Sequence, residues 1–75
     1  MMAIAPSAEA RQVYNMMVMR ADDYDGQLHL TLANSIELSC TLRRRGADSQ
    51  AMTAVEELRE AEWISPVADG GWRVG

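Results

Sequence analysis

Residues 47–74, ADSQAMTAVEELREAEWISPVADGGWRV, decide the fold of this chain. Small and apolar residues recur in this stretch at three- and four-residue spacing, which predicts one buried stripe along a helix: Ala51, Ala54, Val55, Leu58 and Ala61. Asp48 and Ser49 can cap the start of this helix, because their side-chain oxygens accept the free N–H groups of a first turn. Apolar residues then flank Asp69-Gly70-Gly71, and Asp-Gly is a strong hairpin signal. The stretch therefore predicts a helix over 48–62 and a hairpin over 63–74.

This succession of elements resembles the end of a winged helix-turn-helix domain. The matching pattern is a helical A-x-x-A-V-x-x-L-x-x-A, then Trp63-Ile64, then the short hairpin, with Glu62 standing where the family usually has a glycine. The resemblance implies an α+β fold of three helices and a small antiparallel sheet, in the order α-β-α-α-β-β. In that family the last helix is the recognition helix and the hairpin is the wing, so the resemblance also implies DNA binding.

The remaining sequence supplies the other elements of one domain over residues 1–75. We expect a frayed start over 1–6, a first helix over 8–22 with Ser7 as its N-cap, a strand over 27–31 and a second helix over 32–44. Residues 27–43 also alternate apolar and polar side chains with a period of two, which allows a β-hairpin instead of a strand and a helix. The helix is preferred, because the predicted wing needs a helix to pack against.

Several shorter features of the sequence predict local structure and do not predict a functional site. Asp22-Asp23-Tyr24-Asp25-Gly26 predicts a solvated acidic turn, since it lacks the spacing and the closing glutamate of an EF-hand. His29 is expected to point outward from the strand 27–31, with Leu28 and Leu30 inward. Cys40 falls in an apolar pattern and is expected in the core, because free cysteine is among the most buried residue types.

The first helix carries more apolar surface than one stripe requires. Ala10, Val13, Tyr14, Met17 and Ala21 form one face, and Met16, Val18 and Met19 broaden it. One interpretation is a core helix covered on two sides by its own domain. The other is a homodimer or protein-partner contact through Met16, Met17 and Met19, because methionine suits adaptable interfaces.

Composition limits the classes of function. A single cysteine and a single histidine exclude disulfides within the chain and the usual multi-Cys or multi-His metal sites, so no cofactor is expected. No nucleophile–base–orienter set and no phosphate-cradling glycine loop is present, so we do not expect an enzyme. No apolar run approaches the roughly 20 residues of a membrane span, and the start lacks a signal-peptide pattern, so the expected location is cytoplasmic.

The resemblance and the arginines together indicate a candidate DNA interface. Gly46 is placed as a helix C-cap, and it is preceded by Arg43, Arg44 and Arg45. These arginines can offset the negative partial charge of the helix end, and they can also bind phosphates. The resemblance implies base contacts from Ser49, Gln50 and Thr53 at the start of the recognition helix and a phosphate or minor-groove contact from Arg73 in the wing. Double-stranded DNA is therefore the expected partner, and transcriptional control or replication initiation the expected role.

The negative charge of the chain favours an alternative function. The net charge is −4, and residues 49–62 contain four glutamates and one arginine, whereas DNA affinity comes largely from neutralised phosphates. The alternative function is a small winged-helix protein–protein interaction module, with an acidic third helix and a Met-rich first helix, that does not bind DNA.

Overall fold

Three helices pack on one side of a four-stranded antiparallel sheet. The computed structural model describes residues 5–46 and 48–75, and the side chains of Tyr24, Asp48 and Ser49 are outside that description. The elements in chain order are α1 (Ala8–Arg20), β1 (Asp22–Tyr24), β2 (Gln27–Leu30), α2 (Leu32–Arg44), α3 (Asp48–Glu60), β3 (Ile64–Pro66) and β4 (Trp72–Val74). The predicted α+β class with three helices and an antiparallel sheet is confirmed, and the chain has one strand more than predicted.

Helix α1 begins at Ser7 and is tied there to α3. The Ser7 hydroxyl oxygen accepts a hydrogen bond from the Ala10 N–H at 3.2 Å, and its O–H donates to Oε2 of Glu57 at 2.8 Å. One residue thus caps α1 and joins it to the middle of α3. The helix ends at Arg20, two residues short of the predicted Asp22, because the backbone of Ala21 is extended (ψ 147°). The expected frayed start over 1–6 lies largely outside the described residues.

The core is formed by one face of each helix and the inner face of the sheet. Its buried apolar residues are Ala10, Val13, Met17, Leu30, Leu38, Leu42, Ala54, Leu58, Ile64 and Val74. The predicted stripes of α1 and α3 therefore face the core. Trp63 is half-buried and meets Tyr14 edge to face, with ring centroids 5.0 Å apart. This contact fixes the start of the wing against α1.

The acidic segment after α1 is part of a β-hairpin, so the prediction of a turn alone was wrong, although Asp22, Asp23 and Asp25 are exposed as expected. Asp22–Tyr24 pairs with Gln27–Leu30 in antiparallel register. Asp25 (φ 56°) and Gly26 (φ 79°) both take positive φ, as the two central residues of a type I′ turn must. The extra strand changes the predicted order α-β-α-α-β-β to α-β-β-α-α-β-β.

The hairpin predicted over 63–74 is present as β3 and β4, here called the wing after that prediction, and β2 pairs with its second strand. Strand order is β1-β2-β4-β3, and His29 lies opposite Arg73 in the β2–β4 register. Only Gly70 (φ 91°) takes positive φ in the turn, so the loop is not a two-residue primed turn. The Gly71 N–H donates to Oδ1 of Asp69 at 2.9 Å, which stabilises the loop through an Asx turn. Pro66 lies in the edge strand β3, where a missing N–H is tolerated.

Residues 32–44 are helical, so the hairpin alternative is excluded. Thr31 caps α2, since its Oγ1 accepts from the Asn34 N–H at 3.2 Å. Leu38 and Leu42 face the core. Cys40 is exposed, so its predicted place in the core was wrong. The reason is helical spacing, because Cys40 lies two residues from both Leu38 and Leu42 and therefore on another side of the helix.

Helix α3 ends in a Schellman motif centred on Glu62. The Trp63 N–H donates to the Leu58 carbonyl oxygen at 2.9 Å, and the Glu62 N–H donates to that of Arg59 at 3.0 Å. Glu62 has φ 63°, the left-handed conformation that glycine adopts without strain. The helix exit is therefore made here by a glutamate under backbone strain.

We expect Glu62→Gly to stabilise the fold by about 0.5–1 kcal/mol, because a left-handed residue with a Cβ costs about 1–2 kcal/mol and glycine's extra chain entropy offsets part of the gain. The matched control is Glu60→Gly, in the last turn of α3, which should destabilise by up to about 1 kcal/mol. Urea unfolding followed by circular dichroism measures both. A less stable Glu62→Gly would contradict the assignment of strain to Glu62.

Candidate functional site

The three consecutive arginines lie together where α2 ends. Arg43 and Arg44 belong to the last turn of α2, Arg45 is its C-cap, and all three side chains are exposed. The Gly46 N–H donates to the Arg43 carbonyl oxygen at 2.9 Å with Gly46 at φ 71°, so Gly46 takes the left-handed position one residue after the cap and is not the C-cap itself as predicted. Within residues 5–46 and 48–75, no carboxylate forms an ion pair with these guanidinium groups. The triplet is thus a cluster of positive charge available to a partner in a chain whose net charge is −4.

The predicted base-contacting residues lie on the side of α3 that faces the start of α1. Gln50 and Thr53 are exposed and line a shallow pocket with Ser7, Glu9, Ala54 and Glu57. The side chain of Ser49 lies outside the described residues. Gln50 and Thr53 therefore have two carboxylates as neighbours, which makes this side of α3 less favourable to a polyanion than its sequence position indicates.

Arg73 is separated from the helical candidates. It is the middle residue of β4, between half-buried Trp72 and buried Val74, so its side chain is on the outer face of the sheet. Its cross-strand neighbours there are His29 and Ser65. The predicted interface is consequently divided among the end of α2, the α1-facing side of α3 and the outer face of the sheet.

A contact that the sequence did not indicate links the wing turn to β2. Nε2 of His29 is 3.7 Å from Oδ2 of Asp69, and the two side chains are 25% and 59% exposed. His29 points outward from the sheet as predicted. When the imidazole is protonated, this pair holds the turn of the wing beside the strand that precedes α2.

A groove between α2 and α3 is a surface feature that the sequence did not indicate. It encloses about 510 Å³. Met17 and Val13 of α1 form its floor, and apolar residues of the other elements form its walls: Leu38, Leu42, Ala51, Val55, Pro66 and Trp72. Val13, Met17, Ala51 and Val55 belong to the predicted helical stripes, and spacing alone does not indicate that the helices leave a gap between them.

The edges of this groove are both apolar and charged. Met52 of α3 lines the groove and is 75% exposed, and Arg43, Glu56 and Arg59 line it as well. Leu32 (47% exposed) and Ile36 (55% exposed) continue the α2 edge, because they precede the groove-lining Ser39 and Arg43 at helical spacing. An exposed apolar surface of this kind is typical of an interaction site.

The Met-rich surface of α1 is smaller than predicted. Met17 is 1% exposed and belongs to the core, and Met16 is half-buried, whereas Met19 is 82% exposed. Met17 is therefore not available to a partner. A partner contact through this face stays a prediction for Met16 and Met19.

Neither a metal-binding cluster nor a membrane-spanning helix is present among the described residues. Residues 5–46 and 48–75 contain no group of three or more His, Cys, Asp or Glu side chains arranged to hold a metal ion. Within the same part of the chain, none of the helices combines the length and the apolar character that crossing a membrane requires.

Comparison of the chain with protein-family models, with curated proteins and with solved structures returned no match.

Proposed function

We propose that this chain is a winged-helix DNA-binding protein, acting in transcriptional control or as the DNA-binding part of a replication initiator. The topology supports the fold assignment. Two helices joined by a short turn are followed by a hairpin, and the strand before the first of these helices pairs with the second strand of that hairpin. The added strand β1 extends the sheet at the edge away from the wing.

The observation that carries the proposal is the exposed arginine triplet at the end of α2. Arg43, Arg44 and Arg45 are free of described ion pairs and lie directly before α3 in the chain. Arginine binds phosphate through paired N–H donors, and contacts of this type set the register of a recognition helix on DNA. In this proposal α3 enters a groove of the DNA duplex, and the triplet contacts phosphates on both sides of that DNA groove.

The first turns of α3 are the part that approaches the bases. Between Gln50 and Val55 the helix has no charged side chain, and its exposed carboxylates Glu56 and Glu60 come later. Recognition helices contact base edges mainly with their N-terminal residues. Gln50 contacts adenine through paired hydrogen bonds, and Thr53 contacts a thymine methyl group. Ser49 and Arg73 are proposed as additional contacts, Arg73 from the side of the wing.

An amide chemical-shift titration with a random-sequence duplex at about 50 mM salt tests this proposal. We expect shifts at Arg43–Arg45, Gln50 and Thr53 that diminish as salt rises, because phosphate contacts release counterions. Shifts confined to the outer face of the sheet would contradict the assigned interface. An absence of shifts at duplex concentrations near about 1 mM would contradict DNA binding altogether.

A protein-interaction module is the second candidate. The groove between α2 and α3 favours it, because aliphatic walls with Met52 at the edge suit a protein surface better than a phosphate backbone. The exposed carboxylates of Glu56 and Glu60 agree with a protein partner as well. In the titration above, this candidate predicts no duplex-induced shifts.

A further inference from the structure

We propose that the groove between α2 and α3 is the interface at which two copies of this chain form a symmetric dimer. The groove is an opening in the core rather than a pocket built for a small molecule. Its floor includes Met17, which is 1% exposed, and its walls are mostly aliphatic.

Exposed apolar side chains concentrate beside this opening. Four large apolar side chains are exposed among the described residues: Met19, Leu32, Ile36 and Met52. Met52 lines the groove, and helical spacing puts Leu32 and Ile36 beside Ser39 and Arg43 on its α2 edge. Only Met19, on α1, lies outside this group. A monomer gains nothing from exposing these three side chains together, whereas a partner surface would remove them from water.

The same face therefore carries a projecting side chain, Met52, and a recess, the groove. A two-fold interface needs such a self-complementary surface. Met52 projects at the edge of the groove with 75% of its surface exposed. In a two-fold dimer each surface element contacts its counterpart reciprocally, so Met52 of each copy enters the groove of the other. Methionine suits this role, because its unbranched side chain adapts to an irregular cavity.

The charges at the groove also favour a second copy. Arg43 and Arg59 supply positive charge and Glu56 supplies negative charge within the same surface. A two-fold axis can bring Glu56 of one copy to an arginine of the other, so the surface is complementary to itself. A uniformly charged partner such as nucleic acid would be repelled by one of the two signs.

The required area is compatible with the size of the chain. A standard interface buries about 800 Å² per partner, which is about one seventh of the 5414 Å² of accessible surface here. The groove side of α3 differs from the side that carries Gln50 and Thr53. Arg43 is shared by the groove and the arginine triplet. Arg44, Arg45, Gln50 and Thr53 do not line the groove, so a dimer would present two copies of these four residues at once.

Sedimentation equilibrium between about 1 µM and about 1 mM protein tests the proposal. We expect the mass to rise from the 8.3 kDa of one chain toward twice that value as concentration increases. Met52→Gln and Ile36→Ser should each weaken association by about tenfold or more, because each removes an apolar contact at the interface. Met19→Gln is the matched control, since it makes the same chemical change at a more exposed methionine outside the groove, and it should leave the equilibrium unchanged.

Two results would overturn the proposal. One is a mass of 8.3 kDa at every concentration. The other is a loss of association with Met19→Gln that equals the loss with Met52→Gln, which would assign the contact to α1. Amide shifts measured against protein concentration give an independent readout. We expect them at Leu38, Leu42 and Val55, and shifts clustered on Met16 and Met19 instead would contradict the groove interface.

Discussion

Gly71→Ala is expected to destabilise the protein by about 3 kcal/mol or more, and so to lower its melting temperature by about 15 °C or more. Gly71 is buried where the wing returns beside the end of β2. A Cβ at this position would lie 2.2 Å from the Leu30 carbonyl oxygen and 3.2 Å from both the Leu32 nitrogen and the Thr31 carbonyl carbon. All three are backbone atoms, so no side-chain rotation relieves the clash. The connection from β2 to α2 must move instead.

Gly46→Ala is the matched control for this substitution. Gly46 has φ 71°, and an added Cβ would meet nothing within 4 Å. Its expected cost is the left-handed strain alone, about 1–2 kcal/mol. Thermal unfolding by circular dichroism ranks the two variants. A Gly71→Ala protein that melts within a few degrees of the unmodified chain would contradict the close approach of the wing to the β2–α2 connection.

The double substitution Arg44→Ala and Arg45→Ala is expected to weaken duplex binding about 30- to 150-fold at low salt, at about 1–1.5 kcal/mol for each lost charged contact. The loss should be nearly equal for all duplex sequences, because phosphate contacts carry no sequence information. The slope of log affinity against log salt should become shallower by about 1–2, since fewer counterions are released. Fluorescence anisotropy of a labelled duplex measures both quantities.

A control with the same change in net charge separates contact from general electrostatics. Arg11→Ala with Arg20→Ala removes two arginines from α1 and leaves the end of α2 intact. We expect a smaller loss of affinity and an unchanged slope. If the two double variants behave alike, the arginine triplet is not a phosphate clamp.

Helical periodicity was sufficient to predict α1 and α3 and the faces that they bury, whereas α2 was preferred over a hairpin only because the predicted wing needs a helix to pack against. The stripe containing Ala54 and Leu58 lies in the core, and so does the face containing Ala10, Val13 and Met17. Strand β1 was missed because Asp22-Asp23-Tyr24 has no alternating apolar pattern to indicate it. A usable signal followed it, since Asp25-Gly26 is the dipeptide that type I′ hairpin turns favour.

Local sequence was less informative about conformations that tertiary contacts enforce. Glutamate is a poor choice for positive φ, yet Glu62 adopts it because the Schellman hydrogen bonds and the packing of Trp63 on Tyr14 hold the chain there. Cys40 was assigned to the core from its residue type. Its place on α2 two residues from Leu38 overrides that preference.

The sequence could predict which single residues of the candidate site are exposed, but not how these residues lie relative to one another. Exposure of Arg43–Arg45 follows from their position in the last turn of a helix, and the structure agrees. The separation of Arg73 from Gln50 depends on strand register, which the sequence of the wing does not specify. The groove depends on how far α2 lies from α3. Apolar spacing indicates which side of a helix is inward, and it does not give the distance between two helices.

DNA binding is the central claim, and the salt dependence of duplex affinity for the unmodified chain tests it most directly. Anisotropy titrations with a labelled random-sequence duplex would be made at several salt concentrations from about 50 to about 200 mM. The proposal predicts a linear fall of log affinity with log salt and a slope of about −3, because three arginines neutralise about three phosphates. A slope near zero, or no binding at about 50 mM salt, would contradict DNA binding through the arginine triplet.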